Sequence, residues 1–343
     1  MRAISAIFWV LLLLVASGCG GKKTEPAPTR DALRPSSIAA PASMAPPLTV
    51  CSFNVQFLGS SRTRQSGILA TVLEPYDIVL IQELVAPPGP GTFPDGTPYR
   101  PDPEAAKFFD AMEAVGFAWI LSEEDTGRGA RNQNNGTATE WHVAFYRPER
   151  VAHALDLPGG FLADDRTAHP NYDRVPYAFP FRDRHTGIDF VLINVHLRPD
   201  AGPANRERRA GELAAIAEWV ATREGPERDY LIVGDMNIQN EAELFAATPE
   251  GFFSLNDECR PTNTTLSGGK PYDHVMYRPR YTVEIDTEFD LEVIDLVSAV
   301  RPHWDSANGR FPGDPYNHDA FRATFSDHHP IVFRFRADAR DDD

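Results

Sequence analysis

Four short apolar runs in this chain stop on a carboxylate, an amide or an imidazole where a turn residue would be ordinary, and that pattern restricts the fold more than any other feature. They are Leu48-Thr49-Val50-Cys51-Ser52-Phe53-Asn54, Ile78-Val79-Leu80-Ile81-Gln82-Glu83, Phe190-Val191-Leu192-Ile193-Asn194-Val195-His196 and Tyr230-Leu231-Ile232-Val233-Gly234-Asp235. Near-continuous apolar runs of this length predict strands covered on both faces. Asn205 to Arg223 places Leu213, Ile216, Ala217 and Val220 at helical spacing, which predicts an amphipathic helix. Strands interleaved with helices predict an α/β sandwich. The 343 residues, 42% of them hydrophobic, exclude a disordered or fibrous chain. No repeat or second linker follows residue 47, so a single domain over 48–337 is expected, closed by an acidic tail at 338–343. Pro87 to Pro103 and Pro302 to Phe321 read as long loops of the sort that border sites.

Asp and Glu total 49 against 33 Lys and Arg, a net charge of −16. That excess argues against a broad cationic surface of the kind that holds nucleic acid by neutralising phosphates. It leaves room for an enzyme whose local positive charge comes from a divalent cation. Asp341-Asp342-Asp343 contributes to the excess and is expected to be solvated.

Arg2 precedes an apolar stretch from Ile7 to Ala16 that holds Phe8, Trp9, Val10 and four leucines. A charged start and a short apolar core read as an export signal, shorter than the roughly 20 residues a bilayer-spanning helix needs. The stretch stops at Ala16-Ser17-Gly18-Cys19, which resembles the lipobox of bacterial lipoproteins except at Ala16, where a larger aliphatic residue is commoner. The resemblance implies a signal over residues 1–19, cleavage before Cys19, lipidation of that cysteine and a membrane anchor. An ordinary secretory signal and an uncleaved anchor are the alternatives. All three put the bulk of the protein outside the cytoplasm, as a periplasmic or surface lipoprotein or a secreted protein. Residues 20–47, with Pro26, Pro28, Pro35, Pro41, Pro46 and Pro47 among Ala and Ser, read as a tether. Cys51 and Cys259 remain, and an exported protein would permit them to pair; a buried thiol is the other reading of Cys51.

Polar groups withdrawn from water need partners. Asn54, Glu83, His196, Asp235 with Asn237, Asp273, and Asp327 with His328 all fall at or just beyond strand ends. If those ends converge, they make one cluster of oxygen ligands with two imidazoles. Oxygen donors suit a hard cation such as Mg²⁺, with Mn²⁺ or Ca²⁺ as alternatives, whereas the lack of paired cysteine ligands and of His-Glu-x-x-His spacing disfavours zinc. A hard cation beside acids and imidazoles points to phosphate chemistry, with charge offset on a phosphoryl oxygen and water attacking phosphorus. Taken singly, each residue has a plainer reading. Asn54 and Asp235-x-Asn237 could be turn chemistry, His196 a satisfied core histidine, Glu140 a strand edge, and His329 packing.

In order along the chain stand Ser52-Phe53-Asn54, Ile81-Gln82-Glu83, Glu140 leading into Val143-Ala144-Phe145-Tyr146-Arg147-Pro148, Asn194-Val195-His196, Gly234-Asp235-Met236-Asn237, Tyr272-Asp273-His274 and Ser326-Asp327-His328-His329-Pro330. This order resembles the endonuclease/exonuclease/phosphatase superfamily, with pancreatic-type deoxyribonuclease the nearest pattern, over essentially the whole region after the tether. The resemblance implies a four-layered α/β sandwich: two central, mostly antiparallel sheets flanked by helices, with the site at one edge. It implies that Glu83 is the main metal ligand, supported by Asn54 and Asp327. Glu140 with His196, and Asp273 with His328, would be two carboxylate-imidazole pairs, one imidazole acting as base and the other as acid. Asp235 and Asn237 would orient water or the scissile phosphate, and Arg174 resembles a phosphate-gripping arginine; otherwise it is an ordinary surface or structural arginine.

The expected activity is metal-dependent phosphodiester hydrolysis by a monomer with no protein partner, with DNA as substrate. His196 separates the chain from the abasic-site repair branch, and the Arg174-x-Pro176 pattern favours the deoxyribonuclease side. Two rivals stand: a sphingomyelinase-like phospholipid phosphodiesterase, for which Trp304 and Phe311 could offer apolar contacts, and a non-catalytic surface lipoprotein on the same fold. The run Asn135-Gly136-Thr137-Ala138-Thr139 lacks the tyrosine that the pancreatic enzyme uses in the minor groove, so duplex contact is expected to differ.

Overall fold

The computed structural model describes residues 46–127, 139–163, 170–223 and 225–342, all within the unit Met44–Asp343. The signal over 1–19 with Cys19, nearly all of the tether, and the run 135–138 lie outside the described residues. No described helix is long and apolar enough to cross a membrane.

In chain order the strands are β1 (Leu48–Leu58), β2 (Ile78–Leu84), β3 (Gly91–Thr92), β4 (Pro98–Tyr99), β5 (Ala118–Leu121), β6 (Trp141–Tyr146), β7 (Val151–His153), β8 (Gly160–Phe161), β9 (Tyr177–Asp183), β10 (Asp189–His196), β11 (Tyr230–Asp235), β12 (Phe253–Ser254), β13 (Asp273–Tyr277), β14 (Glu292–Val293) and β15 (Ile331–Phe335). The helices are α1 (Ser66–Leu73), α2 (Pro103–Ala114), α3 (Pro203–Ala221), α4 (Glu241–Ala247), α5 (Leu296–Val300) and α6 (His318–Thr324). One sheet runs β14-β15-β1-β2-β6-β5; the second runs β12-β13-β11-β10-β9-β7, with β8 beside β9. The four apolar runs are β1, β2, β10 and β11, which lie in the sheet interiors. They form the two parallel pairs, β1 with β2 and β10 with β11, and the other pairs in the two sheets are antiparallel.

Alternation along the strands builds the layers. Cys51, Phe53, Val79 and Ile81 meet Leu69 and Leu73 of α1, Phe108 and Met112 of α2, Leu296 of α5 and Phe321 of α6. Val191, Ile193, Val195 and Ile232 meet Leu213, Ile216 and Val220 of α3 and Leu244 of α4. The opposite faces, with Val50, Ile78, Leu80, Leu192, Leu231 and Val233, pack the two sheets together. This is the sandwich that the motif order implied. Each such buried side chain contributes about 1.5–3 kcal/mol, so the apolar interfaces hold the strands in register.

The same alternation turns polar toward one edge. On the inward faces Val50 is followed by Ser52 and Asn54, Leu80 by Gln82, Leu192 by Asn194 and His196, and Val233 by Asp235. Parallel strands present their carboxyl ends on one side, and antiparallel neighbours present their amino ends there. Glu140 precedes β6, Asp273 opens β13, and Asp327 and His328 precede β15, so all reach that edge.

Several local expectations change. Pro302 to Phe321 holds two 3₁₀ turns and the start of α6 rather than an open loop. Trp304, partly buried, and Phe311, buried, pack onto Phe325 in the first core, which leaves less of their apolar surface for a lipid than an open loop would. Cys51 and Cys259 are free thiols packed in different core clusters, so they do not pair. Arg209 of α3, a residue type that is ordinarily solvated on a helix, is fully buried and pairs with Glu243 of α4, while donating to the carbonyls of Arg198 and Asp200. A buried guanidinium survives because all these acceptors meet it. The tail is anchored at Ala339, which is buried in the inter-sheet core.

Gly234, next to Asp235, has φ +142°, and an added Cβ would fall 2.2 Å from the Val195 carbonyl oxygen. The Val195 carbonyl is fixed by the sheet, and Gln82 Nε2 stands 3.2 Å from the same point. Gly234→Ala is expected to lose about 2–4 kcal/mol of stability, and denaturant unfolding checks it; an unchanged midpoint would contradict the β10–β11 geometry.

Candidate active site

Both strands that deliver the acidic edge lose regular pairing as they reach it. The register shifts between Asn54 and Leu58 on β1 and between Ile81 and Leu84 across β2 and β6. Gln56, Phe57 and Glu83 take positive φ values of 44°, 53° and 63°, a conformation uncommon for residues other than glycine and enriched where side chains must be re-aimed. Simple alternation after Gln82 would send Glu83 toward the helices. The kink instead turns its carboxylate back, where Asn54 Nδ2 and the Phe57 amide each donate to it at 2.9 Å.

From there a row of alternating charge crosses the gap between the sheets. Glu140 lies 2.9 Å from His196 Nδ1, His196 Nε2 lies 3.5 Å from Asp235 Oδ2, and that same oxygen lies 3.5 Å from His328 Nε2. Asp273 Oδ2 closes the row at 2.8 Å from His328 Nδ1 and accepts from Thr262 Oγ1 at 2.6 Å. Asp235 is thus shared by two imidazoles. Asn54 Nδ2 donates to its Oδ2 at 2.9 Å, and the Asn237 amide to its Oδ1 at 2.9 Å. Asn237 has φ +53° and anchors its side chain on the Leu197 carbonyl.

All the acidic, amide and imidazole residues singled out in the sequence therefore share this edge, with two differences of role. Asn54 shows its amide nitrogen, not its oxygen, to Glu83 and Asp235, because its oxygen accepts from the Gln56 amide at 2.9 Å. It braces the two carboxylates, a role beyond that of the metal ligand expected of it. Arg174 places Nε 2.6 Å from Glu140, so this arginine also terminates the row. Asp327 Oδ2 accepts from Gln56 Nε2 at 2.8 Å, while the neighbouring His329 accepts from the Leu296 amide through Nδ1 and is packing.

Sequence reading missed the polar layer beneath. Gln82 Nε2 donates to Asn194 Oδ1 at 2.6 Å and to Ser52 Oγ at 3.1 Å; Asn194 Nδ2 donates to the Ile81 carbonyl and to His142 Nδ1, both at 3.1 Å. His142 Nε2 then donates to the carbonyl of Val175, beside Arg174, at 2.8 Å. Leaving such a buried group unpaired costs about 1–3 kcal/mol, so the layer fixes how the strands meet under the site. Its signal was parity: Ser52 and Asn194 stand two residues before Asn54 and His196, and Gln82 pairs with Asn54 on the next strand. Arg64 was also missed; it bonds Glu104 and the carbonyls of Gln56 and Phe325, tying the β1 kink to the segment before Asp327.

The electrostatics follow from crowding. Burial pushes the Glu83 carboxyl up, and negative Glu140 and Asp327 add to that against His196. For Glu140 burial also opposes the charge, but Arg174 and His196 outweigh it and hold this carboxyl down at about 2. Burial disfavours charge on both site imidazoles, yet Glu140 and Asp235 raise His196, and Asp273 and Asp235 raise His328 well above the ordinary value. Burial wins at His142 and His274, which fall to about 4 and stay neutral.

At this edge two groups can place ligand atoms within 4.8 Å of one another: Glu83, His196 and Asp235, and Asp235, Asp273 and His328. Asp273 Oδ1 and Asp327 Oδ1 are buried with no hydrogen-bond partner among the described residues. Unpaired buried carboxylate oxygens at the same edge as a carboxyl raised by burial and like charge fit a divalent cation.

The ionised state of Glu140 stabilises the fold fully above its ordinary value of 4.5, and that contribution is lost as pH falls from there toward about 2. Wild type is expected to lose melting temperature over that window more steeply than Glu140→Gln, whose side chain does not titrate. Parallel melting profiles would contradict the Arg174–Glu140–His196 arrangement.

A family model described as "Endonuclease/Exonuclease/phosphatase family" matches residues 51–328. No match was found among curated proteins. Among solved structures, an endonuclease/exonuclease/phosphatase family protein from Bacteroides thetaiotaomicron superposes with TM-score 0.52 at 16% identity, covering 85% of this chain and 98% of that one. D. rerio TDP2 complexed with single strand DNA product gives 0.50 at 15%, covering 84% and 99%. The human Nocturnin catalytic domain with bound sulfate anion gives 0.50 at 15%, covering 85% and 95%. At these identities the likeness is one of fold, and the family match carries the assignment: the chain belongs to the Endonuclease/Exonuclease/phosphatase family, whose members are metal-dependent nucleases, phosphodiesterases and phosphatases.

Proposed function

We propose that this protein is an exported, Mg²⁺-dependent phosphodiesterase that cleaves DNA internally, working as a monomer tethered to the cell envelope through Cys19. The observation that carries the reading is the row Glu140–His196–Asp235–His328–Asp273, in which each imidazole has Nδ1 on a carboxylate and Nε2 facing the shared oxygen of Asp235. A fold kept for binding alone has no use for that arrangement. A relative of this fold holding a single-stranded DNA product supports a nucleic acid as substrate, as does the Arg174-x-Pro176 pattern.

Glu83 and Asp327 would hold the cation, which supplies charge neutralisation on a phosphoryl oxygen. Glu140 and Asp273 keep the proton of each imidazole's Nδ1 engaged, so the proton available for transfer sits at Nε2. In the proposed step water attacks phosphorus and its proton passes to Asp235 Oδ2, in place of the imidazole base expected from the sequence, because the acids around both imidazoles favour their protonated forms. The departing alcohol oxygen takes a proton from an imidazolium Nε2. Asn54 and Asn237 hold Asp235 in place for this, and the Arg174 guanidinium balances the negative charge of Glu140 and of the phosphate.

The purified protein incubated with supercoiled plasmid and Mg²⁺ is expected to nick it, and EDTA to abolish nicking. His196→Ala and His328→Ala are each expected to lower the rate by about 10²–10⁴-fold while leaving the melting temperature within a few degrees. Turnover of sphingomyelin with intact plasmid would replace the substrate assignment, and inertness toward plasmid, sphingomyelin and a simple phosphodiester would end the enzymatic one. For the anchor, Cys19→Ala is expected to move the protein from the detergent phase to the aqueous phase of a cell-envelope extract; an unchanged partition contradicts lipidation.

A further inference from the structure

A second group of acids lies at the far end of β11, a strand length or roughly 20 Å from Asp235. Asp229 immediately precedes the strand, and Glu284 follows β13; they are 3% and 1% exposed. Asp342, exposed in the C-terminal tail, places an oxygen within 4.8 Å of an oxygen from each. Asp229 Oδ1, both carboxylate oxygens of Glu284 and Thr282 Oγ1 are buried without a hydrogen bond of ordinary geometry among the described residues. The Thr282 hydroxyl and the Glu284 carboxyl both lie against Asp229, in hydrogen-bonding contact with it.

Nothing cationic in the described protein closes on this group. Arg278 gives its Nη2 to the Arg228 carbonyl, and Arg336 faces Asp338; both influence the acids through space only. Burial and the neighbouring acids push Asp229 up to about 9 and raise Glu284. The tail is nonetheless led to this place by specific bonds: the Arg336 amide donates to the Glu284 carbonyl at 2.9 Å, and Ala339 is buried in the inter-sheet core. Part of the tail that looked merely solvated in the sequence thus delivers a third carboxylate to two buried ones.

We propose that Asp229, Glu284 and Asp342, with the Thr282 hydroxyl, form a Ca²⁺ site, separate from the active site, that ties the C-terminal tail to the base of the second sheet. The donors are all oxygen, three of them able to bind through both atoms, and they come from three segments with no imidazole or thiol. That set suits Ca²⁺, which accepts about six to eight oxygens in irregular geometry, better than Mg²⁺, which requires a near-octahedral shell.

The test is thermal unfolding with and without saturating CaCl₂. A rise of about 5 °C is expected in wild type and also in Glu83→Gln, which removes the main cation ligand proposed for the active site. Asp235, Asp273 and His328 remain there, so the comparison with the two tail-site variants, each made in the Glu83→Gln background, isolates this site. The rise should vanish in Glu284→Gln and shrink in Asp342→Asn, an exposed position that puts the folded state at no risk. A full rise in Asp342→Asn overturns the proposal, as does the absence of any rise in Glu83→Gln. A Glu284→Gln protein that melts above wild type at every Ca²⁺ concentration also overturns it, since the acids would then share a proton.

Discussion

Asp235 Oδ2 is held by the amide of Asn54 and flanked at equal distance by the Nε2 atoms of His196 and His328, and the rest of the site is built to keep that oxygen there. It belongs to β11 of one sheet, while Asn54 belongs to β1 of the other. The position of one carboxylate therefore depends on the distance between two sheets. Nearly every unusual feature nearby bears on it: the left-handed turn of Glu83, the glycine at 234 and the amide of Asn237 returned to Oδ1.

Such a row is costly to bury. Burial pushes each of these imidazoles and carboxylates toward its neutral form, and Glu83 shows that pressure in its raised carboxyl. The compensation is arrangement. Carboxylate and imidazole alternate, so each charge has the opposite sign beside it, and Arg174 terminates the row against Glu140. What remains, a surplus of negative charge on the Glu83 side, is what a divalent cation and an incoming phosphate would resolve between them.

Beneath the row, the sheets pass from apolar contact to hydrogen bonding within two residues of each strand. Leu80, Leu192 and Val233 seal the lower half, while Ser52, Gln82, Asn194 and His142 are joined by directional bonds. Apolar packing alone tolerates small slides; the Gln82–Asn194 contact does not, and it sits where a slide would break the shared contact at Asp235. The His142 bond to the Val175 carbonyl extends the same control to Arg174.

Much of this was legible in the sequence, because burial on both faces is written as uninterrupted apolar runs and because a polar residue ending such a run has no reason to be there unless it is used. The four central strands, the sandwich and the membership of Asn54, Glu83, Glu140, His196, Asp235, Asp273, Asp327 and His328 in one edge follow from that pattern and the motif order. What only the tertiary structure decided were contacts between residues far apart along the chain. Asn54 turns its nitrogen rather than its oxygen to the acids because Gln56 claims the oxygen, Arg174 lies against Glu140, Arg209 is drawn inward by Glu243, and Cys51 and Cys259 are kept apart by separate cores. Asp342 reaches Asp229 and Glu284 only after the tail folds back. Local pattern encodes which face of a strand is buried; the partner that a buried polar atom finds depends on the packing of whole sheets, which no short stretch of sequence contains.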